Sequence, residues 1–312
     1  MINFVLQSPY SLFVAYLILI GTYRLGGYFL SIKKVNLIFK KISVINFQKL
    51  IIGHIISLLV LFPLIAFTNH SSFILKFFAS LLVLLSIFEI YDFIKKYHKI
   101  NFNFLLKDKY LLFNIIILIL YLFLTSSPET SADTLDYHIG TALNIIRFDS
   151  YVFLAEWFTS IQSGIGEILI ALGYSLGAEQ YGSLIQFSSL LSITGIIFKI
   201  CENRNFFNSK YFANLIVISC PVLLFLASGS KPQLFFSSLL FLALSIVFSV
   251  EKRNYLYYSY SIVCVLIFLS IAGKFSYNLS GFLIWTFATL KFISFKNFPR
   301  LFSITIVSFL II

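Results

Sequence analysis

The chain has 312 residues, 59% of them hydrophobic and 11% charged, with a net charge of +11. A soluble domain carries about 25% charged residues, so a soluble globular protein is excluded. Its 38 Phe and 18 Tyr likewise exclude a disordered chain.

At roughly 20 residues per span, the apolar content predicts an all-α polytopic membrane protein of about ten transmembrane helices. Apolar runs fall at 10–32, 50–67, 73–94, 110–125, 164–199, 211–228, 233–250, 255–272, 278–290 and 301–312. The first lacks a basic leader and a cleavage site, so it reads as a retained span. The run at 164–199 is interrupted by Gly173 and Gly177. It reads as a short re-entrant or interfacial helix followed by one full span. The last run stops at the end of the sequence and reads as part of a longer protein. The expected organisation is N-terminal hairpins over 1–109 and a membrane domain over 110–312. Cys201, Cys220 and Cys264 are scattered and make neither a disulfide framework nor a zinc site.

Charge orients the spans. Lys33, Lys34, Lys40, Lys41 and Lys49 share one loop, and Lys95, Lys96, Lys99, Lys107 and Lys109 the next but one. Lys199, Arg204 and Lys210, then Lys252 and Arg253, then Lys291, Lys296 and Arg300 follow at the same alternation. By the positive-inside rule that side is the cytoplasm. The N-terminus and segments 68–72, 126–163, 229–232 and 273–277 are then outside, with bacterial inner membrane as the expected location. Topology explains the basic residues, so no nucleic-acid partner is expected.

Segment 126–163, the first large outer loop, differs in kind. With the residues just after it, it holds Glu129, Asp133, Asp136, Asp149, Glu156, Glu167 and Glu179, seven of the 12 acids in the chain. Acids contribute little to topology and are expensive near lipid. Apolar residues at 135, 139, 142, 143, 145 and 146 recur with a helical period, which predicts an amphipathic surface helix from Asp133 to Arg147. Asp133 and Tyr137 share a face with Asp136 beside them, and His138 points elsewhere. Asp133 also suits an N-cap and Asp136 the positive helix end. Two carboxylates, a tyrosine and an imidazole within six residues nevertheless mark a candidate site.

At these residues the chain resembles the membrane glycosyltransferases of the GT-C superfamily, which include protein O-mannosyltransferases and the aminoarabinose transferases of lipid A. In that family an outward span leads into a first large loop opening with an Asp motif, often Asp-Glu-x-x-Tyr. A surface helix, an apolar stretch and a Leu-Phe-Gly-x-Ser-Glu-like turn follow. Asp133-Thr-Leu-Asp-Tyr137-His138 and Tyr174-Ser-Leu-Gly177-Ala-Glu179 are similar. The chain departs from the pattern at Thr134, where the family has Glu, and at Ser183, where Arg is common. Its first three spans also precede the family's usual start.

The resemblance implies an inverting enzyme that moves a sugar from a polyprenyl-phosphate donor to a glycan, lipid or protein acceptor on the outer membrane face. Asp133, with Asp136 as second choice, is the implied general base. Tyr137, His138 and Glu179 are implied substrate-binding residues. The leaving phosphate needs cations. Lys231, beside Gln233, and Lys274 stand in short outer turns against the topological rule, with Arg147 as a third candidate. Snorkelling into headgroups is the alternative for each lysine. No cofactor is expected. Asp133, Asp136 and His138 are a conceivable divalent-cation set, but a donor without a nucleotide diphosphate requires none.

Arg24 reads as a cation snorkelling toward the near end of its span. Glu89 and Asp92 read as partners of Lys95 on their own helix. Glu167 and Glu179 read as cavity-facing or helix-capping acids. His54 and His70 show no partner in sequence. The competing functional readings are a transporter or flippase of lipid-linked glycans, a surface-polysaccharide polymerase or ligase, and a membrane subunit without activity.

Overall fold

A computed structural model describes residues 9–96, 108–151, 164–206, 209–249, 256–292 and 298–312. The described residues are helical and contain no strand. α1 (Tyr10–Leu30), α2 (Lys33–Ile42), α3 (Ile45–Ala66) and α4 (Ser71–Lys96) come first. α5 (Lys109–Thr125) leads to a π-helical segment, Thr134–Ile139, that continues as α6 (Gly140–Arg147). α7 (Glu167–Tyr174) and α8 (Tyr181–Asn203) follow, then α9 (Lys210–Ile218), α10 (Pro221–Ser228) and α11 (Gln233–Ser249). α12 (Leu256–Gly273), a short turn at Phe275–Tyr277, α13 (Asn278–Phe292) and α14 (Phe298–Ile311) complete the chain.

Each apolar run of the sequence becomes helix, and the chain is an all-α membrane protein. Among the described residues, five helices (α1, α3, α4, α8 and α12) are long and apolar enough to cross a membrane, or six if α9 and α10 count as one. α5 and α11 have 17 residues each, about 26 Å at 1.5 Å per residue against a hydrocarbon core of about 30 Å. α9 and α10 meet at a 66° bend. Pro221 opens α10, where its missing N–H interrupts the helical ladder of the preceding turn. The basic loop after α1 contains a helix the sequence reading lacked, α2, which buries Ile38, Phe39 and Ile42.

Close backbone approach holds the first bundle together. α1 packs on both α3 and α4. A Cβ on Gly21 would fall 1.8 Å from the Leu82 carbonyl oxygen, one on Gly26 1.8 Å from that of Lys49, and one on Gly53 2.0 Å from that of Thr22. Small residues at these crossings replace the hydrophobic driving force that lipid does not supply. Gly53→Ala is therefore expected to cost roughly 1–3 kcal/mol or more, read as earlier thermal unfolding in detergent. Gly27→Ala, whose Cβ would meet only Lys49 methylenes at 3.7 Å and beyond, is expected to leave the midpoint in place. Equal behaviour of the two variants would contradict the close approach.

Buried polar pairs fix the remaining registers, as apolar interiors demand partners for polar groups. The Gln48 side-chain amide donates to Ser43 Oγ at 2.6 Å and to the Ser192 carbonyl at 3.0 Å, joining α3 to α8. Tyr181 Oη lies 3.1 Å from Thr22 Oγ1 and 3.3 Å from His54 Nδ1, so His54 has a partner after all. Asn214 donates to Asn114 at 2.6 Å.

The loops sort into two ends. Ser11 donates to Gln180 at 2.5 Å, the Ser71 N–H to the Asp149 carbonyl at 3.1 Å, and the Ser230 N–H to Glu129 at 2.6 Å. These contacts bring the start of α1 and the turns after α3, α5, α7 and α10 to one end. At the other, Asn203 reaches the Lys41 carbonyl at 3.1 Å and Lys34 reaches Tyr258 at 2.7 Å. The lysine-rich and acid-rich loops therefore stand at opposite ends. Lys99, Lys107, Glu156, Lys252, Arg253 and Lys296 lie outside the described residues.

Two sequence pairings change. Glu89 and Asp92 do not turn to Lys95. Both receive Arg24 Nη1 from α1, at 2.9 and 2.5 Å. A partly buried guanidinium within the bundle draws both carboxylates to its Nη1, in preference to a lysine at the solvated helix end.

Candidate active site at the acidic end

The site is assembled from the segment following α5 and three neighbouring helix ends. α5 ends at Thr125, whose carbonyl accepts from Ser183 Oγ at 2.5 Å, and this ties the loop to α8. Ser183 thus spends its hydroxyl on backbone anchoring. Glu129 then clamps the chain. Its Oε1 accepts from the Ser131 and Thr130 N–H groups at 2.9 and 3.2 Å, and its Oε2 from the Ser230 N–H at 2.6 Å. The Glu129 N–H itself donates to Glu179 Oε1 at 3.2 Å. One carboxylate therefore locks the start of the acidic segment to the turn that carries Lys231.

That clamp places Lys231 Nζ 2.5 Å from Asp133 Oδ2, across 98 residues of sequence. The lysine is 11% exposed and the aspartate 58%, so the pair has a buried cationic side and an open carboxylate side. Lys231 also lies over the Phe225 ring, 5.4 Å from its centroid. The hydrogen bond from Lys231 holds the Asp133 carboxyl below its usual range, and the charges of His138 and Lys274 act in the same direction. Burial, with Lys231 close by, pushes the Lys274 ammonium below the usual lysine range, against the pull of Glu167 and Asp133. Lys231, Lys274, Asp133 and Glu167 thus form one electrostatic cluster.

Beneath it lies a buried pair. His138 Nδ1 is 2.7 Å from Glu167 Oε1, with the two side chains 3% and 1% exposed. Glu167 Oε2 accepts from the Gly164 N–H at 2.9 Å. Glu167 is neither a helix cap nor an exposed acid. It is the anchor of the floor. α7, which it opens, is buried over its whole length. Gly164 fits tightly, as a Cβ would fall 2.0 Å from the Gly273 carbonyl oxygen beside Lys274.

The helix from Asp133 to Arg147 is not a uniform α-helix. Its first turns are π-helical, a geometry often found at functional sites. It packs on α4 and α7, more enclosed than a surface helix. Tyr137 and His138 both turn inward, 8% and 2% exposed, with ring centroids 4.0 Å apart. His138 therefore does not point away, as the regular helical period had it. Asp136 stays exposed, outside the cluster, and Arg147 is exposed beside the Phe148 ring. Gln233 starts α11, its carbonyl accepting from Tyr277 Oη at 2.8 Å. The structure thus brings Asp133, Lys231, Lys274, Tyr137 and His138 together. Glu179 is joined to them through Glu129, and Asp136 and Arg147 are left on the surface.

A groove of about 500 Å³ lies between α12, α13 and α14. Ile271 and Asn278, on either side of Lys274, line one end, and Ile267, Phe282, Trp285 and Phe309 carry it into the apolar body of the bundle. Among the described residues no group of three His, Cys, Asp or Glu side chains is placed to hold a metal ion.

An all-helical membrane protein with a carboxylate and two lysines gathered at one end is the class that fold and site define. Residues 96–312 match the family described as the DUF1420 N-terminal domain, and the chain belongs to that family. The match starts at the last residue of α4 and takes in the whole site. No curated protein and no solved structure matches the chain.

Proposed function

We propose that the protein is a membrane glycosyltransferase that moves a sugar from a polyprenyl-phosphate donor to an acceptor hydroxyl, on the outer face of a bacterial inner membrane. The observation that carries this reading is the meeting of Asp133 with Lys231 beside Lys274. A general base and the cations for a leaving phosphate share one site, and an apolar groove between α12, α13 and α14 is available for an isoprenoid chain. The similarity of the Asp133 and Glu179 motifs to GT-C enzymes agrees with it.

The residues divide the work as follows. The isoprenoid lies along the α12–α14 groove and brings the phosphate to Lys274 and Lys231. As Lys231 turns to the phosphate, it leaves Asp133, whose carboxylate regains basicity when its ammonium partner departs. The acceptor oxygen then attacks the anomeric carbon and passes its proton to Asp133, and the bond from that carbon to the phosphate oxygen breaks. Polyprenyl phosphate leaves with the electron pair, its charge held by the two lysines. One displacement inverts the anomeric centre. Donor binding is thus coupled to activation of the base.

Binding of polyprenyl monophosphate to the purified protein tests the assignment. Lys231→Ala and Lys274→Ala are each expected to weaken it about tenfold or more. Unchanged binding in both variants would remove the phosphate role. Because Lys274 titrates below the ordinary lysine value of 10.5, binding is expected to fall as pH rises, with a midpoint under that value. Lys274→Arg, which stays charged, is expected to extend binding to higher pH. An alkaline limb that does not move in this variant would assign the titration to another group.

A further inference from the structure

The opposite end of the bundle holds a second site, unrelated to the transfer chemistry. A groove of about 1020 Å³ runs between α1, the start of α3 and the end of α4. Its depth is polar in an unusual way. Arg24 lies six residues before the end of α1, about 9 Å inside at 1.5 Å per residue. There its guanidinium takes both Glu89 and Asp92 and lies 4.9 Å from the Tyr28 ring centroid. An ionisable cluster at such depth is costly in a membrane and marks a function by default. With both carboxylates engaged by Arg24, the cluster carries one net negative charge.

The other charges are cationic. Lys49, Lys95 and Lys96 line the groove as well, so it holds four cations against two carboxylates. Among the described residues Lys49 has no carboxylate partner. It donates to Tyr23 Oη at 3.2 Å and lies 4.6 Å from that ring's centroid, held in place with its charge uncompensated. The wall is apolar, with Leu19, Ile20 and Leu50. α2 adds Lys33, Lys34, Lys40 and Lys41 to the same end of the protein. A basic pocket between membrane helices at the lysine-rich end matches a negatively charged headgroup.

We infer that this groove binds one anionic phospholipid, its phosphate held by Lys49 and Lys95 and an acyl chain laid along Leu19, Ile20 and Leu50. The Arg24–Glu89–Asp92 cluster lines the same groove, and its net negative charge leaves the phosphate to the lysines. A zwitterionic lipid presents the same phosphate with a compensating ammonium, so the net excess of cations selects against it.

The test uses the full chain in nanodiscs of equal phosphatidylglycerol and phosphatidylcholine, transferred to detergent, with retained lipids counted by native mass spectrometry. One retained phosphatidylglycerol per chain is expected. Retention is expected to fall roughly tenfold in Lys49→Gln/Lys95→Gln and to return in Lys49→Arg/Lys95→Arg. Ile20→Trp, which fills the groove and keeps every charge, is expected to lose the lipid as well, and it decides the matter if the glutamine variant misfolds. Equal retention of the two lipids, or phosphatidylglycerol retention that survives both the glutamine and the tryptophan variants, overturns the inference.

Discussion

Asp133→Asn is expected to lower sugar transfer by about 10²- to 10⁴-fold, the span general-base catalysis typically supplies, with membrane insertion unchanged. The amide keeps the size of the carboxylate and still accepts a hydrogen bond from Lys231, so the donor is expected to bind within a few-fold of wild type. It cannot take the acceptor's proton. Asp136→Asn is the natural control, since Asp136 stands exposed outside the cluster, and it is expected to keep near-normal turnover. The measurement is release of polyprenyl phosphate from polyprenyl-phosphate-linked hexoses, by both variants at equal membrane abundance. Loss in Asp136→Asn with sparing of Asp133→Asn would transfer the base role to the other aspartate.

The second large effect is on stability. Glu167→Ala strands a buried group, His138 Nδ1, and a half-buried donor, the Gly164 N–H. Each unsatisfied buried group costs roughly 1–3 kcal/mol. The change is therefore expected to lower the thermal midpoint clearly in detergent and to loosen the floor under Asp133. Replacing both side chains, as in Glu167→Met/His138→Leu, removes the imidazole that would otherwise be left unpaired. It is expected to recover part of the loss, because apolar pairs substitute well for buried polar ones. The Gly164 N–H stays stranded, so recovery is incomplete. A double variant no better than Glu167→Ala would show that the pair does not act as a unit.

Much of the framework is legible in the amino-acid order. Apolar runs became helices because lipid leaves the backbone no other partner, and the lysine-rich loops fell at one end because charge does not cross with the chain. Asp133, Lys231 and Lys274 were visible as charges in the wrong places. The π-helical turn was not visible, because a regular 3.6-residue period sends His138 outward and only tertiary packing against α7 turns it in. Glu129 looked like one acid among seven. Its role depends on the Ser230 N–H, 101 residues away. Likewise Arg24 meets Glu89 across 65 residues, a pairing that local spacing cannot reveal. Two features had usable signals. Pro221 inside an apolar run announces a broken helix, and Val35, Ile38, Phe39 and Ile42 recur at the spacing of an amphipathic α2.

Residues outside the cluster hold its turns in place. α1 supplies Ser11, which supports the turn at Gln180 and Glu179. Gln186 of α8 accepts from the Phe235 N–H at 3.0 Å, satisfying a donor in the first turn of α11 just beyond Lys231. The lysine turn is thus positioned from two sides, by Gln186 and by Glu129.

In the proposed reaction, bond cleavage happens at the Asp133–Lys231 junction. Purified protein in proteoliposomes, given a panel of polyprenyl-phosphate hexoses with a lipid extract as acceptor, tests it most directly through liberated polyprenyl monophosphate. The expected result is release by wild type that vanishes in Asp133→Asn. No release from any donor, together with movement of intact lipid-linked glycan between leaflets that is indifferent to Asp133, would contradict the account and make the protein a transporter.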